Sequence, residues 1–447
     1  MSNQVYVISI TKNRSQTIHH KDETSVFDDE YTVKYSNFTG LLGVVILFGS
    51  VLLSMIATCV PHHNVIKYPE FWYEAMSPVI SWVPIFSARN IIEGRMLLKT
   101  NTILGLKSYF LHLICCSLGK LITFITIYIA WTVILGFRNP MPFQGHVTTL
   151  LYYTIYFPLS FWFLFPLSIR KKHSTTRTQV VRYLQLVILR ILFGIGYTKM
   201  PSFPLIKYDK LQWTLGILLP LLKKFNMWWH AKIAFMVSGG DKEVSDIDTI
   251  IAIGIMHSFG LALLLGSSRI SNITAYIIMI SDFLFNAWSC KNIVKLHKQK
   301  TMVSKELRDR SIKYLALKEF LEIIVPTIYC FSFTAAYFGP NAELIGNVKL
   351  ELWGFVSVNS LTDQLWNVGV FIIFDSLRAI SIAMVLWHFC KLNLYSAYCY
   401  IVRHYGWFIL FYGNTIINSV NGCYLLFQVS HSIFLNENKH CISANII

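Results

Sequence analysis

The chain has 447 residues, of which 54% are hydrophobic and only 14% are charged, and its formal net charge is +16. Soluble domains carry about 25% charged residues, so this composition excludes an ordinary soluble protein and favours a membrane protein. The basic residues lie between apolar runs, and the sequence contains no nucleic-acid-binding module. We therefore expect the lipid bilayer and anionic inner-leaflet lipids as partners, and no nucleic acid.

Eight apolar runs are long enough to cross a bilayer as helices. These predicted spans are residues 40–60, 108–136, 147–169, 247–268, 270–290, 319–338, 364–390 and 405–429. They predict an all-α, polytopic integral membrane helical bundle over 39–429. A polar N-terminal tail at 1–38 precedes the bundle, and a polar C-terminal tail at 430–447 follows it.

Residues 170–245 form the largest basic region, which we place on the inner face of the membrane. It contains two short apolar pieces, 183–197 and 211–222, and Arg190 interrupts the first. We interpret both pieces as amphipathic helices on the inner surface. The alternative is a pair of short crossing or re-entrant segments, which gives ten spans and leaves the later orientation unchanged. A second basic stretch, 291–318, is interpreted as a loop.

The distribution of basic residues predicts the orientation of the bundle. With eight spans and the N-terminus outside, the inner segments hold 29 of the 39 Lys and Arg residues. Since cytoplasmic segments are enriched in Lys and Arg, both termini are predicted on the outer side. The pattern assigns the chain a multi-pass location in the plasma membrane or an endomembrane.

Two opposite charges, Asp375 and Arg378, lie near the middle of the apolar run 364–390. A charge at mid-bilayer costs about 2.5–3.5 kcal/mol on insertion scales, so such residues usually face protein or water. Residues three apart share a helix face, so these two can neutralise each other or contact neighbouring helices. They are candidates for a gate or a charged-ligand site, with a structural ion pair as the alternative.

Two acids, Glu319 and Glu322, lie three apart at the start of the predicted span 319–338. Pro326 lacks an N–H, so the carbonyl of Glu322 loses its helical partner. Two carboxylates beside a free carbonyl suit a cation or proton site. The alternative is that both acids lie at the membrane interface and pair with Lys318 and Lys313.

Three further ionisable residues lie inside predicted spans: Lys120, His257 and Asp282. Together they could join a polar network through the centre of the bundle, as a proton-coupled carrier needs. Each alone is also compatible with a packed helix residue whose polar atoms are satisfied. With the four residues above, they complete the predicted ligand or ion pathway.

An acidic cluster at the start of the span 247–268 carries the enzyme alternative. Asp241, Asp246 and Asp248 have a spacing that could hold a divalent metal facing a phosphate. The alternative is a helix start that Ser245 or Asp246 caps. Neither a metal ligand set nor a catalytic residue is assigned, and no cofactor is expected.

These features together favour a solute carrier or channel with a charged site inside the bundle, acting on a small solute or ligand. One alternative is a ligand-sensing membrane receptor, whose basic inner face would dock a cytosolic partner. Another is an intramembrane enzyme that acts on lipid-linked phosphate. A protein that is not an enzyme is the favoured interpretation.

Overall fold

The structure of the protein is a computed structural model, and it describes only part of the chain. The described residues are 83–98, 106–130, 155–165, 167–170, 175–198, 208–266, 270–299, 301–338, 358–403, 405–406 and 409. Within them the regular structure is entirely helical, as the sequence predicts. The predicted span 40–60 lies outside these residues, and 405–429 lies almost entirely outside them. The spans 108–136 and 147–169 are described in part.

The helices are numbered in chain order. They are α1 (Val83–Leu98), α2 (Leu106–Ile129), α3 (Phe157–Phe163), α4 (Leu167–Arg170), α5 (Thr175–Thr198), α6 (Leu215–Val237), α7 (Lys242–Leu265), α8 (Asn272–Lys298), α9 (Met302–Phe338), α10 (Val358–Cys390) and α11 (394–403). A 3₁₀ turn, Asp209–Thr214, leads directly into α6.

Three helices of the described part are long and apolar enough to cross a membrane: Lys242–Leu265, Asn272–Lys298 and Leu365–Cys390. They correspond to three predicted spans, 247–268, 270–290 and 364–390. A 24-residue helix is about 36 Å long at 1.5 Å per residue, which exceeds the roughly 30 Å hydrocarbon core.

Helix α7 forms the centre of the bundle. Every residue over 247–266 is buried, and helices α1, α5, α6, α9 and α10 all pack against α7. At Gly254, a Cβ atom would lie 3.1 Å from Leu321 Cδ1 of α9. The missing side chain therefore allows the close approach of α7 and α9.

The distribution of polarity is the reverse of that in a water-soluble protein. Several charged side chains are buried, whereas large apolar side chains on α8 and α10 are exposed. The exposed set includes Ile273, Ile280, Leu284, Trp288, Ile373, Leu377, Ile380, Met384 and Trp387. Large apolar side chains on the exterior, together with charged groups enclosed in the interior, support a membrane-embedded protein.

The stretch 291–318 is not a loop, which corrects the interpretation from sequence. Helix α8 continues to Lys298, and α9 begins at Met302 after a short turn. Charged residues are good helix formers, so the apolar pattern ends where the span is predicted to end, but the helix does not. The acids Glu319 and Glu322 consequently lie in the middle of a 37-residue helix rather than at a helix end.

The basic region 170–245 also contains longer helices than its apolar pieces suggest. Helix α5 has 24 residues and α6 has 23, and the two pack against each other and against α7. Between α6 and α7, Gly239 and Gly240 have φ values of +68° and +91°, which favour glycine. This turn brings α6 back along α7.

Candidate functional site

A single guanidinium group, that of Arg378 on α10, contacts four carboxylates. Its Nε donates to Glu319 Oε2 at 3.0 Å, and its Nη2 donates to Glu322 Oε2 at 2.6 Å. Its Nη1 donates to Asp282 and lies 2.9 Å from Asp375 Oδ1. Three helices, α8, α9 and α10, therefore meet around one arginine.

The sequence spacing explains why these acids converge. Glu319 and Glu322 are three residues apart on α9, and so are Asp375 and Arg378 on α10, so each pair lies on one helix face. The short connection between α8 and α9 places these helices side by side, which brings Asp282 to the same point.

Two lysines complete this group. Lys318 Nζ lies 3.7 Å from Asp282 Oδ1 and 3.5 Å from Glu322 Oε1. Lys223 comes from α6, and its Nζ donates to Glu322 Oε1 at 2.6 Å. We call the seven residues the Arg378 cluster: Lys223, Asp282, Lys318, Glu319, Glu322, Asp375 and Arg378.

The Arg378 cluster is almost completely enclosed. The exposed fraction is 2% for Arg378, 3% for Glu322 and 0% for Glu319 and Asp375. The Lys318 side chain is 23% exposed and forms the contact of the cluster with the surface. Because enclosed charges interact in a medium of low polarity, each partner contributes strongly to holding the others.

Five of the seven predicted site residues are thus brought together: Asp282, Glu319, Glu322, Asp375 and Arg378. The expected pairing of the two glutamates with Lys313 is wrong, because Lys313 Nζ lies 3.1 Å from Glu243 Oε1. The expected contact of Lys318 with Glu322 is present.

Of the other two predicted residues, His257 lies outside the Arg378 cluster, and the structure does not describe the side chain of Lys120. The His257 ring is buried and meets the Tyr197 ring edge-on at 5.6 Å, and its Nδ1 has no hydrogen-bond partner among the described residues. Lys120 itself lies on α2.

A second buried charged group surrounds Arg190 of α5, the residue that interrupts the apolar piece 183–197. Its guanidinium contacts Glu93 of α1 and lies 2.5 Å from Asp248 Oδ2 of α7. Its Nε donates to His230 Nε2 at 2.8 Å. This nitrogen is therefore the acceptor, so the imidazole is neutral and carries its proton on Nδ1, 2.9 Å from Thr249 Oγ1.

Helix α6 contributes to both charged groups. Lys223, Asn226 and His230 recur at intervals of three and four, and all three side chains are buried on one helix face. We did not nominate Lys223, His230 or Glu93 from the sequence. The 3–4 spacing of polar residues within an apolar stretch was the available signal for the two α6 residues.

The three aspartates of the acidic cluster separate to different partners. Asp241 caps α7 by accepting from the Val244 N–H at 3.1 Å, so Asp241 is the cap rather than Ser245 or Asp246. Asp248 binds Arg190. Among the described residues, no group of three or more His, Cys, Asp or Glu could hold a metal ion.

The third aspartate, Asp246, accepts a hydrogen bond of 2.8 Å from the Tyr314 hydroxyl. Tyr314 lies before the predicted span 319–338. Its burial, together with this hydrogen bond, raises the pKa of the phenol above its usual value. Tyr314 therefore stays a hydrogen-bond donor at neutral pH, and its link to Asp246 joins α9 to the start of α7.

We found no match to this chain among protein-family models, curated proteins or solved structures.

Proposed function

We propose that the protein is a multi-pass membrane solute carrier or channel, and that the Arg378 cluster lies on its ligand or ion pathway. The observation that carries this proposal is the convergence of four carboxylates on one arginine inside a bundle with an apolar exterior. Ionisable residues at such depth are costly, and in membrane proteins they commonly line substrate or proton pathways.

The proposed topology has ten crossings, with α5 and α6 crossing as a pair and both termini outside. Support comes from the burial of α7 over residues 247–265, since α5 and α6 cover part of its surface. Their lengths of 24 and 23 residues also match the bilayer thickness, although α6, with Lys224 exposed, is less apolar than the three helices named above. In this arrangement the basic end of α8 lies inside, where Lys291, Lys295 and Lys298 would contact anionic lipids.

The enzyme alternative depended on the three aspartates at 241–248 lying together. Asp241 caps a helix, Asp246 binds Tyr314 and Asp248 binds Arg190, so they do not form one site. The receptor alternative predicts ligand-dependent signalling without flux of any solute. A flux measurement therefore separates it from the carrier or channel.

The experiment uses the full chain in liposomes that contain a pH-sensitive dye, with the membrane potential set by potassium and valinomycin. A panel of inorganic ions, amines, amino acids and sugars is added outside, and both dye response and solute uptake are recorded. We expect flux of at least one panel member above that of empty liposomes. Glu319→Gln and Asp375→Asn should reduce this flux about tenfold or more.

The matched control is Glu243→Gln, because Glu243 is also a helical glutamate in an ion pair, but its side chain is 42% exposed. We expect this variant to keep the flux of the unmodified protein. Full flux in both cluster variants would remove the Arg378 cluster from the pathway. Folded protein that moves no panel member would contradict a carrier or channel.

A further inference from the structure

The Arg378 cluster contains one more acid than base. Its acids are Asp282, Glu319, Glu322 and Asp375, and its bases are Lys223, Lys318 and Arg378. An uncompensated charge in an enclosed site is costly, so a cluster with excess carboxylate takes up either a proton or a further cation.

Two carboxylates in the cluster have acceptor capacity left. Within the part of the chain that the structure describes, the Oε1 atom of Glu319 is buried without a hydrogen-bond partner. Both carboxylate oxygens of Asp375 are likewise buried and accept no hydrogen bond from a described residue, although Oδ1 lies 2.9 Å from the Arg378 guanidinium. When the carboxylates are ionised, these atoms can only accept hydrogen bonds, so a matching ligand group must donate them.

Lys223 differs from the other two bases in the way it is attached. Arg378 contacts all four acids, and Lys318 lies on the same helix as Glu319 and Glu322. Lys223 reaches the cluster from α6 through its ion pair with Glu322. Its ammonium can therefore withdraw while α8, α9 and α10 stay joined through Arg378.

We infer that the Arg378 cluster binds a small primary ammonium group, and that the Lys223 ammonium is a tethered competitor for the same carboxylates. This inference rests on the proposed function and names the chemical class of its ligand. A primary ammonium has three donors on a compact cation, as the lysine side chain has. Anions and quaternary ammonium ions lack these donors and are excluded.

Chemical rescue tests this inference without any flux measurement. The unfolding temperature of the purified full chain is followed by tryptophan fluorescence for Lys223→Ala, in ethylammonium chloride and in tetramethylammonium chloride at equal ionic strength. We expect Lys223→Ala to unfold at a lower temperature than the unmodified protein. Ethylammonium should raise that temperature by about 3 °C or more, and tetramethylammonium should not.

The neighbouring lysine provides the matched control. Lys224→Ala removes an exposed ammonium that lies 4.6 Å from the Phe285 ring centroid, and we expect no difference between the two salts. Adding Glu322→Gln to Lys223→Ala should abolish the ethylammonium effect, because the acceptor is then neutral. If Lys223→Ala does not fold, Lys223→Gln is used in its place, because glutamine keeps a hydrogen-bond donor near Glu322.

The outcomes separate this inference from the proposed function. Equal responses of Lys223→Ala and Lys224→Ala to ethylammonium would overturn the ammonium site. Specific rescue without flux of any solute would keep the site and contradict a carrier or channel. Flux that depends on Glu319, without rescue at Lys223, would contradict only the ligand class.

Discussion

Lys223 and Lys224 are adjacent in sequence, yet Lys223 Nζ lies 2.6 Å from Glu322 inside the bundle while Lys224 is exposed beside the Phe285 ring. Successive residues of an α-helix point about 100° apart, so neighbouring lysines can lie in different environments. The consequence is that α6 places one base in the Arg378 cluster and keeps the other outside.

The stability of the protein should depend far more on Arg378 than on any one of the four acids in the Arg378 cluster. We expect Arg378→Leu to lower the free energy of unfolding by about 3–5 kcal/mol or to prevent folding, because it leaves enclosed carboxylates without their shared partner. Asp375→Leu should cost less, since Arg378 keeps three acids. Size-exclusion chromatography of heated, fluorescently tagged protein measures both effects.

The exposed Arg95 provides the control, and Arg95→Leu should change stability by less than about 0.5 kcal/mol. We also expect Arg378→Leu not to rescue Asp375→Leu. Recovery of stability in that double variant would mean that Asp375 and Arg378 form an isolated pair.

The charged group around Arg190 should contribute to stability as strongly as the Arg378 cluster does, because it joins α1, α5, α6 and α7. Arg190→Leu leaves Glu93 and Asp248 enclosed without their common partner, so we expect a loss of about 3–5 kcal/mol. Arg182, eight residues earlier on α5, is only half-buried, and Arg182→Leu should have a much smaller effect. Similar melting temperatures for the two variants would contradict the structural role of Arg190.

The packing of α6 against α8 should depend on the absence of a side chain at Gly216. A Cβ atom there would lie 2.5 Å from Ile277 Cγ2, so we expect Gly216→Ala to destabilise the protein by about 1–3 kcal/mol. Ile277→Ala should restore part of this loss. At Gly369 of α10 nothing lies within 4 Å of an added Cβ.

For that reason Gly369→Ala is the matched control for Gly216→Ala. We expect it to stabilise the helix by about 0.5–1 kcal/mol, because alanine is the better helix former. Thermal unfolding of Gly216→Ala, of Gly216→Ala combined with Ile277→Ala, and of Gly369→Ala in one detergent tests these expectations. A destabilising Gly369→Ala together with a neutral Gly216→Ala would reverse the assignment of these two faces.

The proposed ten crossings predict which residues an impermeant maleimide labels on intact cells. In a background without native cysteines, a cysteine at Tyr208, between α5 and α6, should be labelled from outside. A cysteine at Gln299, between α8 and α9, should be labelled only after the membrane is opened. Protection of the cysteine at position 208 in intact cells would restore the eight-span arrangement, with α5 and α6 on the inner surface.

The sequence by itself determined the helical class and the three spans that the described helices match. It nominated seven charged or titratable residues, five of which the structure brings together. Apolar run length and helical spacing are local properties, so Asp375 and Arg378, or Glu319 and Glu322, could be assigned to shared faces without tertiary information. The same local view misplaced the end of α8, because helix formation continues beyond the apolar pattern.

Only the tertiary structure decided which charges meet. Asp282 and Arg378 are 96 residues apart, and Lys223 and Glu322 are 99 apart, so no spacing rule connects them. The role of Arg190 is also visible only in the tertiary structure. In the sequence it interrupts an apolar piece, whereas in space it joins α1, α5, α6 and α7. Packing around the buried helix α7 brings these distant residues together, and the pairing of enclosed charges depends on that packing.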